Sequence, residues 1–256
     1  MSMRRQHAKA ARQHKACSHQ RNGARVHLRP MSLHRAAPVT TQAVSASLRQ
    51  PVDALLFDLG NVLLDVDFHC AFHHWAQSAG VPVEIIAARF KPDAAYGAHE
   101  RGEISGAQYF AALRSLLEID LTDAQFSQGW ASILRDVIPG ADMLLATLAA
   151  TTPVYIFSNT NALHFERWST DYPALLAPVT QVFSSHAIGL RKPAAAAFHK
   201  VCALMNTVPE RVAFFDDLPE NVAGARRCGL HAFQVTALDD IRHALAHGIM
   251  LPAPAQ

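Results

Sequence analysis

Ala54-Leu55-Leu56-Phe57-Asp58-Leu59-Gly60-Asn61 is the stretch that decides the fold. Its four leading residues are apolar without alternation and too few for a helix, which reads as a strand buried on both faces. The polar residues and Gly60 that follow read as a loop. Two further runs repeat the pattern. Val154-Tyr155-Ile156-Phe157 enters after Pro153 and ends at Ser158-Asn159, and Val212-Ala213-Phe214-Phe215 ends at Asp216-Asp217. Weaker strands are expected at Gln181–Ser184 and His231–Val235, and helices over 139–150, 160–168, 193–206, 219–228 and 238–247. Strand alternating with helix predicts an α/β fold with a doubly wound parallel sheet.

One interval breaks the rhythm. Nearly a hundred residues separate the first strand from the second, whereas a βαβ unit needs only about 30. Residues 66–138 carry helical patterning around Phe68–Ala79, Val83–Phe90, Ala107–Leu117 and Thr122–Leu134. The expected organisation is a core domain over 51–65 and 139–250 with a small helical domain inserted at 66–138.

Composition agrees with a globular chain. Of 256 residues, 50% are hydrophobic and 17% charged, which excludes general disorder. No run approaches the roughly 18 apolar residues of a membrane span. Cys17, Cys70, Cys202 and Cys228 lack metal-ligand spacing, which argues against a zinc site or a disulfide framework and suits a reducing cytoplasm. The net charge of +2 conceals a split: residues 1–50 hold ten Lys/Arg and no Asp or Glu, so the rest is at −8. Residues 1–50 read as a disordered basic extension. An organellar transit peptide, an arm that holds nucleic acid through its phosphates, and an over-extended start with Met31 as initiator are the three explanations, the last favoured.

The three strong strands all end in polar groups, and that edge of an open α/β sheet is where ligands bind. Singly, each such residue is explained as a turn or a helix cap; three together are not. The residue types point to phosphoryl transfer. Asp58 can serve as nucleophile, while Asp216-Asp217 beside it supply hard oxygen ligands for Mg²⁺. Ser158 and the amides of the next helix start can hold phosphate oxygens. Lys192, expected just outside a helix that begins at Pro193, can offset transition-state charge.

These motifs resemble those of the haloacid dehalogenase-like (HAD) superfamily, in order across 51–256: Phe57-Asp58-Leu59-Gly60-Asn61-Val62, Phe157-Ser158-Asn159, Arg191-Lys192-Pro193, and Phe214-Phe215-Asp216-Asp217 followed by Asn221. The inserted helices match the superfamily's cap. The resemblance implies Asp58 as nucleophile and metal ligand, the Gly60 carbonyl and Asp217 as further ligands, and Asp216 in support. The stretches Asp65-Val66-Asp67-Phe68, His99-Glu100-Arg101-Gly102-Glu103-Ile104-Ser105, Phe126-Ser127-Gln128-Gly129-Trp130 and Ser158-Asn159-Thr160-Asn161-Ala162-Leu163-His164 are similar to those of bacterial α-D-glucose-1-phosphate phosphatases. A Mg²⁺-dependent sugar-phosphate phosphatase is thereby implied. Its expected substrate-binding residues are Asn159, Asn161 and His164, with His99, Glu100 and Arg101 on a cap loop. The expected partner is a small phosphorylated molecule, with no nucleic acid and no membrane, and the chain a cytoplasmic monomer or homodimer.

One departure matters. Most superfamily phosphatases carry a second Asp, the general acid/base, where this chain has Gly60. Asp65, Asp67, His99 and His164 are the candidate substitutes, although Asp65 and Asp67 equally suit helix capping and His164 a buried, hydrogen-bonded role. Trp130 and Trp168 read as core, and His73-His74 as surface. The rival readings are a metal-independent haloacid dehalogenase and a catalytically silent phospho-ligand-binding module.

Overall fold

The computed structural model describes residues 50–252, so the expected basic extension, apart from Gln50, lies outside the described residues. The strands are β1 (Gln50–Pro51), β2 (Ala54–Phe57), β3 (Leu64–Val66), β4 (Leu134–Val137), β5 (Val154–Ser158), β6 (Gln181–Ser184), β7 (Val212–Asp216), β8 (His231–Gln234) and β9 (Ile249–Met250). Five of them form one parallel sheet in the order β6-β5-β2-β7-β8. The strand that opens the fold is thus its centre. Gln50, expected at the end of the extension, instead pairs with Ile249 through β1 and β9.

The apolar runs have no polar face because helices cover both sides. Leu55, Phe57, Val154, Ile156, Ala213 and Phe215 enter one buried cluster, while Ala54, Leu56, Phe157, Val212 and Phe214 enter the other. That is the period-two alternation of a pleated strand with both sides dry.

Between β3 and β4 run α1 (Phe68–Ala79), α2 (Val83–Arg89), α3 (Ala94–Glu100), α4 (Gly106–Leu117) and α5 (Asp123–Ala131). Their starts are written locally: Asp67 caps α1, and Ser105 with Gln108, then Thr122 with Gln125, form capping boxes. Later come α6 (Ala141–Ala149), α7 (Ala162–Asp171), α8 (Pro173–Leu176), α9 (Ser185–Ile188), α10 (Ala195–Leu204), α11 (Pro219–Arg227) and α12 (Leu238–His247). Among the described residues no helix is long and apolar enough to cross a membrane.

Three expectations need correcting. The helix expected over Thr122–Leu134 stops at Ala131, because Leu134 and Val137 pair antiparallel with Val66 and Leu64. That partner lies some seventy residues away, so local periodicity could not announce it. Helix α3 was expected as loop; it is only seven residues long and holds Gly97, a weak helix former. Pro193 does not open a helix: the Ala194 amide donates to the Arg191 carbonyl in a turn, and α10 starts at Ala195.

Trp130 and Trp168 are buried as expected. Trp75 stacks on Trp130 at a centroid distance of 5.9 Å, and its Nε1 donates to the Phe126 carbonyl at 3.1 Å. A Cβ on Gly129 would lie 2.2 Å from that Nε1. Gly129→Ala must therefore displace the indole and should cost about 1–3 kcal/mol. A lowered urea midpoint checks this, and an unchanged one would refute it.

Candidate active site

Asp58 follows β2 directly, Ser158 and Asp216 end β5 and β7, and Asp217 comes one residue later. Parallel pairing sets these three strand ends side by side. Ligand atoms of Asp58, Asp216 and Asp217 all lie within 4.8 Å of one another. Lys192 reaches in from the turn before α10 and is 1% exposed. Its Nζ donates to Asp58 Oδ1 at 2.8 Å, Asp216 Oδ2 at 2.8 Å and the Phe157 carbonyl at 2.7 Å. All three ammonium protons are thus used. Burial works against the charged amine, but the two carboxylates outweigh it and hold Lys192 above the ordinary lysine value. Burial likewise raises Asp58, against the pull of Lys192 and with the push of Asp216.

The three carboxylates are not equivalent. Asp216 also accepts from the Leu218 amide at 2.9 Å and from Asn221 Nδ2 at 3.0 and 3.1 Å, so it is an anchor. Asp217 is half-buried, raised chiefly by burial and then by Asp216, and accepts from the Asn61 side chain. Asn61 holds a left-handed φ of 57° and accepts from the Val66 amide at 3.2 Å.

A cavity of about 250 Å³ opens on this cluster. Asp58, Gly60, Ser158, Asn159, Lys192 and Asp217 line one part; Phe68, Tyr96, Glu100, Trp168 and Arg191 line another. A larger depression of about 390 Å³ near Tyr172 carries Asp142 and Asp171 but none of the motif residues, and Asp171 is already paired with Arg167. Chemistry, not size, locates the site.

Several expected substrate contacts are engaged elsewhere. Asn159 lines the cavity, yet its side chain clamps the Lys192 backbone in both directions: Nδ2 donates to the Lys192 carbonyl at 3.0 Å and Oδ1 accepts from the Lys192 amide at 2.9 Å. Asn161 does not line the cavity and caps α7. Arg101 pairs with Glu103 outside the cavity. His99 is off the cavity too, stacked on Tyr109 at 4.6 Å. Glu100 does line it, from the end of α3 and not from a loop.

His164 lines the cavity but is saturated. Asn161 Oδ1 accepts from the His164 amide, which turns the Asn161 NH₂ toward His164 Nδ1 at 3.0 Å. Nδ1 is then the acceptor, so Nε2 carries the proton and donates to the Trp130 carbonyl at 2.9 Å. Burial pushes its pKa down to about 4, against about 6.5 in the unfolded chain. The unfolded state therefore takes up the proton first. The contribution to stability is complete above about pH 6.5 and falls by about 3 kcal/mol as pH approaches 4. Urea midpoints across that window should drop more steeply for the wild type than for His164→Gln; parallel slopes would refute this.

Asp65 and Asp67 pair with Arg135 at 3.2 and 3.4 Å and do not line the cavity. None of the four expected substitute acids thus combines a place on the cavity with a free proton donor. A Cβ at Gly60 would lie 3.3 Å from Val66 Cγ2, close enough that Val66 would have to give way by a few tenths of an ångström. Sequence reasoning did not single out Arg191 and Tyr96 as lining residues, nor Ser185. The Ser185 hydroxyl, buried behind the site, accepts from the Thr160 amide at 2.8 Å and shares its proton between the carbonyls of Thr160 and Glu100. Only Arg191 left a signal, standing beside Lys192 in the third motif.

The chain is similar to known proteins in sequence and in fold. The chain is 23% identical over 186 residues to a D-ribitol-5-phosphate phosphatase of Bacteroides thetaiotaomicron, covering 70% of this chain and 90% of that protein. Its fold matches a HAD family enzyme from the same organism, crystallised with magnesium and inorganic phosphate, at TM-score 0.66 and 23% identity over 76% of this chain and 99% of the other. It also matches the L-2-haloacid dehalogenase of Xanthobacter autotrophicus with covalently bound chloropropionic acid, at TM-score 0.57 and 18% identity over 78% of this chain and 85% of that one. The two structures speak for the fold alone. The family model for haloacid dehalogenase-like hydrolases matches residues 52–229, a span that takes in all four motifs and every strand of the central sheet up to the edge of β8. This chain belongs to the haloacid dehalogenase-like hydrolases.

Proposed function

We propose that the chain is a Mg²⁺-dependent phosphatase of a small phosphorylated metabolite, a sugar phosphate such as α-D-glucose 1-phosphate, acting through an aspartyl-phosphate on Asp58. The observation that carries this reading is a charge imbalance. Three carboxylates share one cluster with a single ammonium, leaving two negative charges in excess at a buried place. A divalent cation with hard-oxygen preference fits that set. Asp58, Asp217 and the Gly60 carbonyl would hold it. When bound, Mg²⁺ supplies charge neutralisation for the phosphoryl oxygens.

The protein groups then divide the work. An Asp58 carboxylate oxygen attacks phosphorus, and the bond from phosphorus to the leaving oxygen breaks. The departing oxygen takes a proton from water. A second water attacks the acyl phosphate, releasing phosphate and returning Asp58 as carboxylate. Lys192, held by three acceptors and by the Asn159 clamp, keeps its charge beside the reacting oxygens throughout. Ser158, which lines the same cavity, would donate to a phosphoryl oxygen.

A cap over residues 66–138, on a core of 51–65 and 139–250, is part of the same proposal. Its support is that Tyr96 and Glu100 of α3 line the cavity that holds Asp58.

Phosphate release should be screened over sugar phosphates with Mg²⁺ and with EDTA. Metal-independent activity toward 2-haloacids would instead favour the dehalogenase reading. With no carboxylate at Gly60, departure of an ordinary alkoxide should be slow, whereas a hemiacetal oxygen is a better leaving group. The kcat for α-D-glucose 1-phosphate should therefore exceed that for glucose 6-phosphate by about tenfold or more, and equal values would remove the leaving-group argument. The ribitol-named relative sharpens the comparison, because ribitol 5-phosphate releases a plain alkoxide.

A further inference from the structure

We propose that Glu100 and Arg191 together form a subsite for the hydroxyl groups of a neutral, polyhydroxylated leaving group, with aromatic neighbours taking its C–H faces. The inference rests on the phosphatase reading and names which substrates that site selects.

Glu100, on α3, is 5% exposed, and Arg191 lies in the turn that carries Lys192. Glu100 Oε2 and Arg191 Nη2 approach to 2.9 Å, an ion pair whose oxygen nevertheless has no aligned hydrogen-bond donor. Tyr96 hydrogen-bonds the Glu100 carboxyl, and the Arg191 guanidinium sits 5.9 Å from the Tyr96 ring centroid. Among the described residues, six buried polar side-chain atoms lack a partner. Three belong to residues lining this one cavity: Arg191 Nε and Trp168 Nε1, and Glu100 Oε2, whose one neighbour is its ion-pair partner Arg191 Nη2.

Buried polar groups left without partners are costly; these atoms are closed to solvent as the side chains stand, so a ligand in the cavity reaches them once Glu100, Arg191 or Trp168 turns toward it. The set contains donors and an acceptor. A hydroxyl matches both at once, accepting from a nitrogen while donating to the carboxylate.

Charge narrows the class further. Arg191 is already compensated by Glu100, so a second phosphate or carboxylate on the substrate would gain little from the guanidinium and meet the repulsion of Glu100. A cationic substrate would meet Arg191. A neutral group escapes both costs. Phe68 and Tyr96, half-buried on the same cavity, supply aromatic surface for the C–H side of a sugar or polyol.

The test compares three substrates, all with Mg²⁺: α-D-glucose 1-phosphate, fructose 1,6-bisphosphate as the probe with a second phosphate, and p-nitrophenyl phosphate as the probe without hydroxyls. Glu100→Gln should lower kcat/KM for glucose 1-phosphate by about tenfold to a hundredfold, mainly through KM. The loss on p-nitrophenyl phosphate should be several-fold smaller than that on glucose 1-phosphate, because this probe has no hydroxyl groups to hold. It should also improve the bisphosphate relative to glucose 1-phosphate, because Arg191 is then uncompensated. Arg191→Gln should shift that ratio the opposite way. Equal losses on all three substrates, or no change in the bisphosphate ratio, would overturn the subsite.

Should both variants fail to fold, the wild type decides. A lower KM for glucose 1-phosphate than for its 2-, 3- or 4-deoxy analogues supports the subsite, and equal values overturn it. If the wild type releases phosphate from none of these compounds, the phosphatase reading fails on its own account. The subsite is then read from thermal shifts: stabilisation by glucose 1-phosphate but not by the bisphosphate supports it, and the reverse order overturns it.

Discussion

Asp58→Asn should reduce Mg²⁺-dependent phosphate release by on the order of 10³-fold or more, equivalent to about 4 kcal/mol of barrier. The amide is nearly isosteric but is a poor nucleophile, and it cannot form the acyl phosphate. Folding should survive, because Lys192 keeps Asp216 and the Phe157 carbonyl as acceptors. The substitution also removes one of the two excess negative charges, so the concentration of Mg²⁺ needed for thermal stabilisation should rise. Release assays with Mg²⁺ and melting curves on the same protein check both points. Activity within about tenfold of wild type, on a folded variant, would remove Asp58 from the nucleophile's role.

Lys192→Met should be the most damaging single change to stability at the site. It removes the donor to two buried carboxylates and one carbonyl at once, and breaking a buried ion pair on one side typically costs about 3–5 kcal/mol. For a chain of this size that is a fall in Tm of roughly 10 °C or more. The site would then hold three carboxylates with no ammonium. Mg²⁺ should therefore raise the Tm of the variant more than it raises that of the wild type. Circular dichroism melts with EDTA and with Mg²⁺ provide the comparison. A Tm within about 2 °C of wild type would show that the two carboxylates find other compensation.

Much of the framework was legible because its determinants are local. Ala54–Phe57, Val154–Phe157 and Val212–Phe215 are apolar at every position, and only a strand covered on both sides asks for that. Asp67, Ser105 and Thr122 sit where helix starts need side-chain acceptors, and α1 accordingly begins and ends where the periodicity places it. The polar residues after the three strong strands were likewise readable as a site, since parallel strands bring their carboxyl ends to one edge.

What remained hidden was how each polar side chain is engaged. Asn159 and His164 stand in the motif that marks the site, yet one clamps the Lys192 backbone and the other is held between Asn161 and the Trp130 carbonyl. A buried, hydrogen-bonded His164 was among the expectations and Asn161 is only three residues from it, but nothing adjacent in the chain announces the Lys192 backbone or the Trp130 carbonyl as partners. The β3–β4 ribbon escaped for the same reason. By itself the sequence determined the sheet, the helices flanking it and the row of carboxylates at its edge, because hydrophobic periodicity, caps and turns act over a few residues. Only the tertiary structure decided which groups are spent on holding the site and which face the cavity. Glu100 and Arg191 are 91 positions apart in the chain yet 2.9 Å apart in the fold, and such a pairing is set by how distant segments pack, which local pattern does not encode.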